Sequence, residues 1–100
     1  LAVLKEEFIS IMAERIEEIN TLLVKIGEGE WDGEAAGKVR FLAHKLAGSA
    51  GCFGYEKVSE TACALENAFD EWLEGRRSYN ASAGAQALAL FAALDDSRLA

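Results

Sequence analysis

The stretch AAGKVRFLAHKLAGSAGCFG, running from Ala35 to Gly54, decides the fold. On a helix turning about 100° per residue, Ala35, Val39, Leu42, Leu46, Ala50 and Phe53 fall in one narrow apolar stripe. Such a stripe needs a packed surface on one side and leaves the rest of the helix to water. His44, the single histidine of the chain, lies roughly 160° from the stripe and is expected to face solvent. Its neighbours on that face are Gly37, Arg40, Phe41, Ala47, Gly48 and Gly51, mostly residues with little or no side chain. Glycine inside a helix costs about 1 kcal/mol relative to alanine. Gly48 and Gly51, one and two turns beyond the imidazole, therefore call for a reason other than folding. Clearance supplies one: something large must approach the ring closely.

The flanking sequence reads as three more helices. Before the stretch, Leu4, Phe8, Ile11, Met12, Ile16, Ile19, Leu22, Leu23 and Ile26 recur at helical steps, with Glu6, Glu7, Glu14, Glu17 and Glu18 on the wet side. Gly27-Glu28-Gly29-Glu30 ends that helix, Asp32 is the expected N-cap of the next, and Trp31 is its expected hydrophobic staple. The histidine helix then runs to about Phe53, where Gly54 supplies the turn. Tyr55, Val58, Ala62, Leu65, Phe69 and Leu73 form a third stripe that closes at Gly75. A loop from Gly75 to Asn80 leads to an alanine-rich last helix, about Ala81 to Leu94, with Leu88, Phe91, Ala92 and Leu94 as its apolar side. Short connections between helices of similar length imply antiparallel neighbours. The expected fold is all-α, an antiparallel up-down-up-down four-helix bundle forming one domain over residues 1–100.

Composition agrees and excludes several functions. Hydrophobic residues make up 51% of the chain and proline is absent, which favours uninterrupted helices. A net charge of −7 argues against binding nucleic acid, whose phosphates would be repelled. All 17 acidic residues lie outside Ala35–Tyr55, which itself holds Lys38, Arg40 and Lys45. The histidine helix is thus a basic strip on an acidic body, suited to an anionic group or an acidic partner surface. No apolar run approaches a membrane span and no signal-peptide pattern opens the sequence, so a cytoplasmic domain without membrane contact is expected. Cys52 and Cys63 are not spaced as a Cys-x-x-Cys pair and read as reduced helix residues. One histidine cannot build the usual two- or three-histidine metal site, so neither metal nor cofactor is expected. Ser49 faces away from His44, which argues against a hydrolytic triad.

The residues around His44 resemble the signature of the histidine-containing phosphotransfer (HPt) domains of bacterial phosphorelays. That signature is a histidine, a leucine two residues on, and glycines at the fourth and tenth positions, here His44, Leu46, Gly48 and Gly54, followed by Tyr55, Val58 and the Leu65-Glu66 pair. The resemblance covers essentially the whole chain. It departs at Ala47, where many members carry a lysine, so nearby positive charge falls to Lys45, Arg40 or Lys38. The resemblance implies a phosphorelay intermediate that accepts a phosphoryl group on His44 and passes it to or from an aspartate of a response-regulator receiver domain. It further implies a receiver or a histidine kinase as partner, with the catalytic carboxylates and magnesium on the receiver.

Residue chemistry supports a carrier and not an enzyme. A neutral imidazole is a good nucleophile, and phosphoryl transfer needs mainly positioning and cancellation of charge. Lys45 and Arg40 are the expected charge-stabilising residues, and Phe41, Lys38, Gly48 and Gly51 the expected docking surface. No phosphate-binding glycine loop or nucleotide fingerprint is present, so the chain is not expected to take phosphate from ATP by itself. A monomer is expected. The competing reading is a helical interaction module that binds a receiver or kinase without being phosphorylated.

Overall fold

The computed structural model describes residues 2–28 and 31–98, the side chains of 2–5 and 28 excepted. They form α1 (Ala2–Glu28), α2 (Gly33–Cys52), α3 (Glu56–Leu73) and α4 (Ala81–Ser97), with no strand among the described residues. Each helix packs on its two neighbours, α4 closing back on α1, in a four-helix bundle of 42 × 22 × 21 Å. Consecutive packed helices joined by short turns run antiparallel. At about 1.5 Å per residue, α1 alone spans the long axis.

Local chemistry sets the helix ends. Asp32 caps α2, its carboxylate accepting from the amides of Glu34 and Ala35 at 3.0 and 3.2 Å, an arrangement worth about 1 kcal/mol. Asn80 does the same for α4 through the Ala83 amide at 3.0 Å. Where α2 ends, Gly54 takes φ 83°. There the Tyr55 amide donates to the Ala50 carbonyl at 2.8 Å and the Gly54 amide to Gly51 at 3.2 Å. This paired closure needs a left-handed residue, which glycine adopts without a Cβ clash.

The core is built from Phe8, Met12, Ile16, Ile19, Leu23 and Ile26 of α1, facing Val39, Leu42, Leu46, Val58, Leu65 and Phe69 of α2 and α3. Burying each such side chain contributes roughly 1.5–3 kcal/mol. Aromatic rings close both ends of the bundle. Phe8 stacks on Phe53 at 4.6 Å, with Tyr55 beside it, at one end. At the other, Trp31 and Trp72 meet Tyr79, and Phe69 lies within reach of both tryptophans. Burial there pushes the Tyr79 phenol above its ordinary pKa.

Several expectations need correction. Leu88 is 58% exposed and Ala92 is exposed too, whereas α4 buries Ala83, Ala87, Leu94 and Ser97 and continues beyond Leu94 to Ser97. In an alanine-rich helix the inward face is set by the space its neighbours leave, and small residues fit where α4 lies close. Ile11 is exposed at 43% and Leu22 is only partly buried. Trp72, absent from the expected α3 stripe, is buried. Leu4, Gly29 and Glu30 fall outside the described side chains and residues.

Candidate functional site

His44 sits near the middle of α2, on the face opposite the core stripe, with 70% of its side chain exposed. Its Nδ1 lies 2.8 Å from Oε2 of Glu66 on α3, whose side chain is 20% exposed. A carboxylate can only accept, so Nδ1 carries the proton and Nε2 keeps its lone pair. Nε2 has no partner among the described residues. The arrangement is therefore an imidazole of fixed tautomer and orientation, with its nucleophilic nitrogen unengaged.

The α2–α3 seam aligns this pair with others. One turn before His44, Arg40 Nη1 donates to Asp70 Oδ1 at 3.1 Å, and Asp70 lies one turn beyond Glu66. On the other side of the ring, Ser59 Oγ donates to the Ala47 carbonyl at 2.8 Å. From Arg40–Asp70 to His44–Glu66, four residues along α2 are matched by four back along α3, as an antiparallel pair with fixed register requires.

The remaining expected site residues divide into two groups. Gly48 opens onto free space: a Cβ there would meet nothing within 4 Å. Phe41 is 59% exposed, so it is a surface ring and not a boundary residue tucked under another helix. Lys45 lies over that ring at 5.2 Å, and Phe41 and Lys38 line an open groove with Glu18, Thr21 and Leu22 of α1. Gly51 differs from Gly48, because a Cβ there would touch Ser59 Oγ of α3 at 3.5 Å. Lys38 is held outward by Glu34 at 3.9 Å, two turns away from the ring. The structure thus brings Arg40, Phe41, Lys45 and Gly48 around His44 and leaves Lys38 and Gly51 at the margin.

Glu66 and Asp70 are the functional candidates with no expected role from residue type alone, being acidic positions on an acidic helix. A signal existed in the turn. His44 and Glu66 are equidistant in sequence from Tyr55, and so are Arg40 and Asp70, so folding the chain about that residue pairs them.

The described chain is thus a bundle of four helices with a surface histidine, a carboxylate on its Nδ1 and open space one turn on. The family model of the Hpt domain matches residues 3–97, and the chain belongs to that family. Hpt domains serve phosphotransfer in two-component signalling, as carriers and not catalysts, with receivers or kinases as partners. No curated protein and no solved structure matches the chain significantly. No helix among the described residues is long and apolar enough to cross a membrane.

Proposed function

We propose that this domain is a phosphorelay intermediate in which His44 accepts a phosphoryl group and passes it to or from an aspartate of a response-regulator receiver domain, a histidine kinase being the other class of donor. The observation that carries this reading is the His44–Glu66 pair at 2.8 Å on an exposed ring. Nε2 attacks phosphorus, and the N–P bond forms as the acyl O–P bond of the donor aspartate breaks. The aspartate carboxylate leaves with the electron pair. Nδ1 keeps its proton throughout, and Glu66 balances the positive charge that the ring acquires. Arg40 and Lys45 are the cations that offset phosphoryl charge. Phe41, with Lys38, Gly48 and Gly51 around it, forms the surface that the receiver covers. On this reading the magnesium-binding carboxylates are the receiver's.

The test is transfer from a phosphorylated receiver, read as an acid-labile, alkali-stable label. His44→Gln is expected to take up no label while its unfolding free energy stays within about 0.5 kcal/mol of wild type, as exposed substitutions do. Stoichiometric labelling of that variant refutes the proposal. A wild-type domain that binds a receiver but never takes the label is instead the interaction module.

A further inference from the structure

We propose, on the reading of His44 as phosphoryl acceptor, that Asp70 is a positioning residue: it holds Arg40 beside the ring while the ring is bare and yields it once the ring is loaded. Three cations lie in the basic stretch of α2, and their placements differ. Lys38 is engaged by Glu34. Lys45 lies over Phe41 and lines a groove with Glu7, Ile11 and Arg15 of α1, on the side of α2 away from α3. Arg40 is tethered on the α3 side, by a single bond of 3.1 Å to Asp70.

After the ring, Ala47 and Gly48 offer no charge, so the compensating cation on that side comes from the preceding turn. Residues four apart on a helix face bring their Cβ atoms within about 5–6 Å, well inside the reach of an arginine side chain. On the α2–α3 side the charged groups beside the loaded ring are then Glu66, Asp70 and Arg40, with Lys45 on the α1 side of α2.

The exchange is favourable because the two partners differ in strength. The Arg40–Asp70 pair is 42% and 36% exposed at its side chains, and pairs this wet contribute little. A phosphoryl group on Nε2 offers a fuller charge and oxygens that a guanidinium can engage in two parallel bonds. Asp70 therefore competes weakly for Arg40 and, once abandoned, repels the phosphoryl group. Removing the Asp70 carboxylate should favour the loaded state through both effects, and the first of them requires Arg40.

The experiment loads the domain with phosphoramidate, a small donor that releases ammonia as the ring nitrogen takes the phosphoryl group. Phosphorus NMR then follows the last ionisation of the phosphohistidine across pH. A paired guanidinium favours the dianion, so Arg40→Met should raise the midpoint and Asp70→Asn should lower it. A lowering of about half a pH unit, near threefold in the ionisation constant, is expected for Asp70→Asn. In the Arg40→Met background the same change should shrink by at least about half, by the logic of a double-mutant cycle. Asp70→Glu should restore the wild-type midpoint, which a purely structural role would not require. Equal shifts with and without Arg40 overturn the proposal while leaving His44 as acceptor. No phosphohistidine in wild type, or its persistence in His44→Gln, overturns the functional reading itself.

Discussion

Along the α2–α3 seam, polar rungs tie one helix to the other: Arg40 to Asp70, His44 to Glu66, and Ser59 to the Ala47 carbonyl. Along the α1–α4 seam, no hydrogen bond or ion pair joins the two helices among the described residues. Grooves run there instead, one between Leu23, Ile26, Tyr79, Gly84 and Leu88 and another between Ile16, Asn20, Phe91 and Arg98. The packing is also far more extensive between α2 and α3 than between α1 and α4. Phosphoryl transfer depends on fixing a ring to within fractions of an ångström, and the rigid seam is the one that carries the ring. The loose seam has only to keep water from the core.

The largest expected effect separates the two seams by stability. Leu65, fully buried on α3, should cost about 2–5 kcal/mol on change to alanine, whereas Leu88→Ala on the open side should stay within about 0.5 kcal/mol. Denaturant unfolding of both variants checks this, and equal losses would erase the distinction. Next in size is Glu66→Ala, which removes the carboxylate that holds the His44 ring by its Nδ1. Transfer to His44 should slow by about 10- to 100-fold, with secondary structure retained by circular dichroism. Unchanged transfer would mean that ring orientation is set elsewhere.

The smallest effects come from two glycines, one on each seam. Gly48→Leu meets open space and improves helix propensity by several tenths of a kcal/mol, so the melting midpoint should hold or rise. Transfer should nonetheless slow at least about tenfold, roughly 1.4 kcal/mol of barrier, because the side chain occupies the approach to the ring. Gly84→Ala places its Cβ 3.6 Å from Tyr79 Oη, an ordinary contact. It should stabilise α4 by up to about 1 kcal/mol and leave transfer untouched. A destabilised Gly48→Leu protein with normal transfer would show that this glycine serves packing, and the contrast would fail.

The legible parts of the chain were those whose chemistry is local. The α2 stripe, the Asp32 cap and the left-handed turn at Gly54 follow from residues close in sequence, and the structure has all three. The exposure of His44 followed from the same wheel. Partners across helices were not legible from residue type: Glu66 and Asp70 acquire meaning only once the turn at Tyr55 fixes the register of α3 against α2. The face of α4 failed for a different reason. Alanine is equally at home in core and in solvent, so Ala83 and Ala87 look no different from Ala92 until neighbours are placed around them. Trp72 escaped because its stripe was drawn through Phe69 and Leu73, one of which is fully buried and the other only partly.

The aromatic cluster at one end of the bundle has a spectroscopic consequence. Trp31 and Trp72, the chain's two tryptophans, both pack against Tyr79, Trp31 with ring centroids 4.5 Å apart and Trp72 edge-on at 5.2 Å. Intrinsic fluorescence excited at the indole band therefore arises from that end alone. The opposite end, closed by Phe8, Phe53 and Tyr55, contains no indole and is dark under the same excitation. An emission trace during melting follows the junction of α3 with the loop to α4, and the amide signal in the far ultraviolet follows all four helices. Where the two curves separate, the bundle opens from one end first.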